Sequence, residues 1–215
     1  MEELACEPRR PPLAGRLALL LAGCGLSTLC YAVTVRAGIG LGPLFVLQDG
    51  LARRAGVALG TSVMALGAGM VLLAACLGAR PGPGTLAIPF LSGSLLDYLL
   101  PRLPQLHGWG PELAAVAAAT WLMGLGGAAV IRASLGVAAY DAVMLGLNRS
   151  LGRPLAPIRW AMEATVLVAG WVLGGAVGVG TVITGLLIAP AIQFWVDLLG
   201  RVWHSGARDP SRRRT

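Results

Sequence analysis

RAGIGLGPLFVLQDGLARRAG, residues 36–56, and RASLGVAAYDAVMLGLNRSLG, residues 132–152, are the stretches that decide how this chain folds. Laid on one another at an offset of 96 residues, they match Arg36-Ala37 with Arg132-Ala133, Gly40 with Gly136, and Gly50-Leu51 with Gly146-Leu147. Arg53 then meets Arg149 and Gly56 meets Gly152. The register continues without a gap, because Gly78, Gly82 and Gly84-Thr85 fall on Gly174, Gly178 and Gly180-Thr181. Sixteen identities lie between residues 36 and 91, where composition alone gives roughly six, so the chain reads as one unit written twice.

On either side of these stretches the chain is apolar. Segments 17–35, 58–79 and 113–131 carry no charge and meet the length of about 20 residues that a helix needs to cross a hydrocarbon layer about 30 Å thick. Segments 86–100, 158–177 and 182–199 are spans with polar interruptions: Pro89 and Asp97, Arg159 and Glu163, Pro190 and Asp197. With 56% hydrophobic and only 13% charged residues in 215, the expected solvent is lipid rather than water. A cleaved signal peptide is the rival reading of the first segment, after Arg9, Arg10 and Arg16. It is set aside because the apolar run exceeds an h-region of about 7–15 residues and has no clear small-residue cleavage site.

Glycine loosens the backbone and proline removes a donor, so residues 37–43 and 133–139 should end a helix and free its polar groups. In lipid such groups must be satisfied by protein or by a wet cavity. The pieces that follow, 44–55 and 140–151, would span about 18 Å as helix, too short to cross. They read as re-entrant or interfacial, leaving three spans per unit, and an odd number inverts the units with respect to one another in the membrane. The expected fold is all-α: a polytopic transmembrane bundle of about six spans in two three-span repeats, 17–104 and 113–200, each with a short re-entrant or interfacial helix. A cytoplasmic segment, 1–16, precedes this transmembrane domain (17–200), and a basic cytoplasmic tail, 201–215, follows it.

All 17 basic residues are arginine. With six spans and a cytoplasmic N-terminus, 13 arginines fall inside and 4 (Arg36, Arg53, Arg54 and Arg102) outside, as the positive-inside bias requires. Both termini are then cytoplasmic in a multi-pass cell-membrane protein. Eight spans with parallel units would give 14 and 3, so charge does not separate the two; segment length favours six. The arginines are scattered at helix ends, which argues against nucleic acid as a partner and for anionic lipid.

Cys6, Cys24, Cys30 and Cys76 form no disulfide framework or metal spacing and read as small packing residues. His107 and His204 have no carboxylate or cysteine at ligand spacing. There is no nucleophilic constellation and no phosphate loop after a strand, so neither an enzyme nor a metal or other cofactor is expected. What remains is charge at membrane depth, which costs at least about 2.5–3.5 kcal/mol on insertion scales. Arg159 and Glu163, at i, i+4, share a helix face and are read either as a structural ion pair or as a substrate or proton site. Asp141, just after the second break, is read mainly as a cap of its short helix, otherwise as a cation ligand. Asp49, Asp97 and Asp197, near segment ends, should face water or arginine. Gly84-Thr85 and Gly180-Thr181 read as helix-start turns with Thr as cap.

RAGIGLGP (36–43), RASLG (132–136), YDAVMLGL (140–147), IRWAME (158–163) and GWVLGGAVGVGT (170–181), in that order and spacing, resemble the YczE/YyaS/YitT group of bacterial membrane proteins over about residues 15–200. By that resemblance, Arg132, Asp141, Arg159, Glu163, Gly178, Gly180 and Thr181 occupy the group's pattern in the second unit. Arg36, Gly40, Gly42, Pro43, Gly82, Gly84 and Thr85 do so in the first. The chain departs from the pattern at Phe45, where an acid is expected, and at Ala138-Ala139 in place of Gly-Pro; a symmetric two-acid site is therefore not expected. The resemblance implies an uncharacterised membrane protein rather than a known reaction.

Two functions follow. Inverted units with matching Gly/Pro breaks point to a small secondary transporter or permease for an unknown solute. Its pathway candidates are Arg159, Glu163, Asp141, Arg36 and Arg132, and its backbone break and turn positions are Gly40, Gly42, Pro43, Gly136, Gly84, Thr85, Gly180 and Thr181. The alternative is a non-transporting anchor or regulatory partner of another protein. Small-residue faces at 23–27 and 67–69 also suit a homodimer.

Overall fold

The computed structural model describes residues 12–206, with side chains to Arg201. Among these residues eight α-helices follow one another: α1 (Leu13–Ala37), α2 (Pro43–Ala55), α3 (Leu59–Cys76), α4 (Pro83–Leu99), α5 (Trp109–Ala133), α6 (Ala139–Leu151), α7 (Leu155–Val172) and α8 (Val179–Gly206). Among the described residues there is no strand. The helices of the second half each begin 96 residues after those of the first. Two boundaries differ from expectation. α1 begins at Leu13, inside the segment assigned to a cytoplasmic leader, and α8 runs to Gly206, past the expected tail start at 201. Cys6 and tail residues 207–215 lie outside the described residues.

α1, α3, α5 and Val179–Arg201 of α8 are long and apolar enough to cross a membrane. α4 has 17 residues with Pro89 inside, and α7 has 18 and carries Arg159 and Glu163. α2 and α6 have 13 residues each, about 20 Å of helix.

Glycine sets how these helices meet. α1 and α5 form the largest contact and run antiparallel. Arg16 at the start of α1 donates to the carbonyls of Ala133 and Ser134 at the end of α5, and the Leu106 N–H donates to the Arg36 carbonyl at the end of α1. Midway, a Cβ on Gly23 would stand 2.6 Å from the Gly126 carbonyl oxygen, so only glycine permits this approach. α2 packs on α7 and α6 on α3. Gly50 faces the Leu173 Cβ and Gly146 faces the Leu77 Cβ, two contacts again related by 96 residues.

The halves differ at their last helix. α4 leans on α3, where Gly60 and Gly93 bring the backbones together. Ala156 and Ala189 stand at the corresponding positions of the second half, and their methyl groups forbid so close an approach. There α8 lies along α5, with Gly124 against Ala191, and scarcely touches α7. Gly23, Ser27 and Gly67, from the faces expected to suit a dimer, are used inside the chain, against Gly126 and Pro89. A Cβ on Gly25 or Gly69 would meet no neighbouring helix within 4 Å.

Candidate functional site

The two glycine breaks do not dock on their own half. Gly40, with φ +116°, lies against Gly178, and a Cβ there would stand 2.6 Å from the Gly178 nitrogen. The Gly180 N–H donates to the Ile39 carbonyl at 2.9 Å, and the Leu41 N–H to the Ala176 carbonyl at 3.1 Å. Reciprocally, Gly136, φ +139°, lies against Thr85 and Gly82, and the Gly84 N–H donates to the Leu135 carbonyl at 2.9 Å. Each break is thus satisfied by the Gly-x-Gly-Thr turn of the other half, which answers the need of broken helices in lipid for protein partners. Gly42 abuts Thr184, and Pro43 is the first residue of α2, where its missing N–H leaves no bond unmade.

The turns are not capped as expected. Gly82 and Gly178 are the capping residues, and the threonines come three positions later. The Thr181 hydroxyl accepts from the Gly178 N–H at 3.1 Å. The Thr85 hydroxyl, on a fully buried residue, has no partner; an unmade hydrogen bond in such a place costs about 1–3 kcal/mol. Asp141 makes no capping hydrogen bond either, although it sits in the first turn of α6.

Arg36 and Arg132 are held apart at opposite ends of the antiparallel pair α1 and α5. Arg36 donates to the Leu100 carbonyl just past α4, and Arg132 to the Val196 carbonyl of α8 at 3.2 Å. These acceptors are also 96 residues apart, and in both arginines Nε is buried without a partner. Each arginine ties the last helix of its half to the first. His107 shares the cavity beside Arg36 with Gln105 and Glu112.

The remaining candidates come together. Arg159 Nε and Glu163 Oε1 are 3.0 Å apart on α7, with 38% and 22% of their side chains accessible. Tyr140 at the start of α6 lies within electrostatic reach of both members of this pair and Asp141 within reach of Arg159, and the Tyr140 hydroxyl is buried without a partner. A groove of about 780 Å³ runs between α3, α6 and α7; its walls are apolar, from Met70 and Leu147 to Val166, Arg153 is its charged lining residue among the described residues, and none of these four polar residues lines it. The first half offers Leu44, Phe45, Val63 and Gly67 at the corresponding positions, so the cluster belongs to one half only.

A second polar group was legible in the sequence only as far as its arginine partner. Asp49, expected near a segment end facing water or arginine, sits in mid-α2 and is 7% exposed. Its carboxylate accepts from Arg53 Nε at 2.8 Å and from the Ala176 N–H, 127 residues away, at 2.9 Å. Nearby, Ser62 donates to the Gln48 carbonyl, while Gln48 Oε1 and the Tyr31 hydroxyl are buried without partners. The Tyr31 ring stacks on Phe45 at 3.8 Å, which is why an aromatic can stand where an acid was expected. A lone carboxylate inside a twelve-residue apolar piece was the signal available. Asp97 accepts from the Gly60 N–H at 2.7 Å, and Asp197 from Gln193 at 3.0 Å, rather than meeting arginine.

A profile of a family of unknown function, DUF6198, matches residues 14–197. An uncharacterised protein of Haemophilus influenzae is 25% identical over 188 residues, covering 87% of this chain and 86% of its own. The uncharacterised membrane protein YczE of Bacillus subtilis is 26% identical over 174 residues, covering 79% and 81%. No solved structure matches.

Proposed function

We propose that this chain, which belongs to the DUF6198 family of unknown function, is a small secondary transporter or permease built from two inverted three-span halves of common origin. The observation that carries this reading is the reciprocal docking of each half's glycine break on the other half's Gly-x-Gly-Thr turn. Broken helices that meet across an inverted pair are where transporters of this construction place their sites. Antiparallel α1 and α5, with helix starts 96 residues apart, support the inversion. Six spans are favoured over eight because Arg16 and Arg80 line one cavity; eight spans would put them on opposite sides of the membrane. Both termini are then cytoplasmic in a cell-membrane protein.

The site proposed for solute or coupling ion is the cluster of Tyr140, Asp141, Arg159 and Glu163. A charge in lipid is retained at a cost of several kcal/mol where function needs it, and here the Arg159–Glu163 pair of α7 lies within electrostatic range of Tyr140, and Arg159 within that of Asp141, at the start of α6. The test is uptake into proteoliposomes of a panel of amino acids, small organic anions and organic cations under imposed proton or sodium gradients. At least one class is expected to accumulate, and Glu163→Gln or Asp141→Asn to abolish the gradient-driven component at normal membrane abundance. If nothing moves under either gradient, or if both variants transport as the parent does, the reading fails.

A second reading, a membrane partner of another protein or a homodimer, rests on α7. Trp160, Trp171 and Val172 are 71%, 66% and 76% exposed on it, and α8 scarcely covers it. Crosslinking from these positions in native membranes would recover a stable partner if this face is an interface, and only lipid if it is not.

A further inference from the structure

The pseudo-symmetry creates two corners where a glycine break, a helix start and a neighbouring loop meet, and they are finished differently. In the corner at the start of α8, Asp49 supplies a carboxylate that accepts the Ala176 N–H, and Thr181 is hydrogen-bonded. In the corner at the start of α4, Leu145 holds the position corresponding to Asp49 and Arg80 that corresponding to Ala176. This second corner is a cavity of about 420 Å³. Among the described residues Arg16 and Arg80 are its charged lining residues, no acid lines it, and neither arginine pairs with a carboxylate. Thr85, fully buried and with its hydroxyl unpartnered, also lines it, next to the N-terminus of the 17-residue helix α4.

We infer that the corner at the start of α4 binds a phosphate-type anion, which takes there the part that the Asp49 carboxylate takes in the other corner. Two guanidinium groups and a hydroxyl donor, set in the positive field of a helix N-terminus, are the groups that phosphate oxygens require. Arg16 is already committed on one edge to the carbonyls ending α5, which fixes its direction; Arg80 is exposed and can close over the anion. The cavity opens at the end of the bundle where α1 begins, so the phosphate can belong to an anionic lipid headgroup or to a free phosphate compound from the aqueous side. The inference is independent of whether the chain moves a solute.

Thermal unfolding of the full chain in a neutral detergent, with chloride as the reference anion, tests it. Inorganic phosphate is titrated in one arm, and phosphatidylglycerol against phosphatidylcholine in mixed micelles in the other. Saturable stabilisation by inorganic phosphate identifies a soluble anion, and stabilisation by phosphatidylglycerol alone identifies a headgroup. In either case Arg80→Gln should weaken the half-saturating concentration about tenfold, the loss of one charge-assisted contact, while Arg153→Gln, an equal change of net charge elsewhere, leaves it unchanged. Thr85→Val should weaken the response without lowering the stability of the chain in chloride, since it removes a hydroxyl that is unpaired there. Leu145→Asp, which copies the other corner, should make the protein indifferent to both probes. No saturable stabilisation in either arm, or a response as strong in Arg80→Gln as in the parent, overturns the inference.

Discussion

Replacing Gly136 by alanine probes the docking that holds the halves together. Its φ of +139° is one that residues with a Cβ rarely adopt, and forcing it costs of order 1–3 kcal/mol. The new Cβ would also stand 2.5 Å from the Thr85 hydroxyl oxygen and 2.9 Å from the Thr85 nitrogen. The second contact is with backbone and is not relieved by a rotamer change, so overpacking adds typically 1–3 kcal/mol. Together the substitution should remove about 2–6 kcal/mol, a large part of a stability of about 5–15 kcal/mol. Thermal unfolding of the detergent-purified protein, followed by tryptophan fluorescence, should register this as a Tm lower by about 4 °C or more. Thr85→Ala in the same background should return only part of the loss, because the nitrogen remains. Gly40→Ala should behave alike, since its Cβ would meet the Gly178 backbone at 2.6 Å. Gly69→Ala, in mid-helix with nothing within 4 Å, should be neutral or stabilising by up to about 1 kcal/mol. A Gly136→Ala protein with the parent's Tm, or one no worse than Gly69→Ala, would refute the claim that this crossing is close and strained for any side chain.

Two further predictions concern the buried carboxylate and the topology. Asp49→Leu, the residue found at the corresponding position of the other half, should cost about 1–3 kcal/mol because the Ala176 N–H loses its acceptor; Asp49→Asn keeps an acceptor oxygen and should lose less, and equal losses would show that the charge rather than the hydrogen bond matters. In sealed vesicles of a cysteine-free background, cysteines at the exposed positions Arg54 and Arg80 should label from opposite sides, with Arg80 on the side of the N-terminus. Arg80 labelling from the side opposite the N-terminus would give eight spans and dissolve the inverted arrangement.

Much of the architecture was already legible in residues 36–56 and 132–152. Apolar length and the placement of glycine and proline are local properties, and they located α2 and α6 to within a residue or two, with breaks at Gly38–Gly42 and Ser134–Ala138. The pairing of Arg159 with Glu163 was equally local, since i, i+4 spacing on one helix leaves little else for them to meet. Local reading failed where packing decides which polar groups find a partner. Thr85 and Thr181 look alike in sequence, yet only one hydroxyl finds a donor; Asp141 has the position of a cap and does not cap.

Apolar length and the placement of glycine and proline establish that this chain is a helical membrane protein, where its helices break, and that the breaks recur at 96 residues. These follow from the hydrophobicity and backbone freedom of neighbouring residues. It takes the packing of the helices to show that each break is satisfied by the opposite half, that Asp49 reaches across 127 residues to Ala176, and that one of two matching corners is finished by a carboxylate while the other is lined by arginines. The reason is that a broken helix specifies only that its freed N–H and C=O groups must find partners. Which partners they find depends on how closely α1 and α5 approach through Gly23 and Gly126, and on whether glycine or alanine lies between the last two helices of each half.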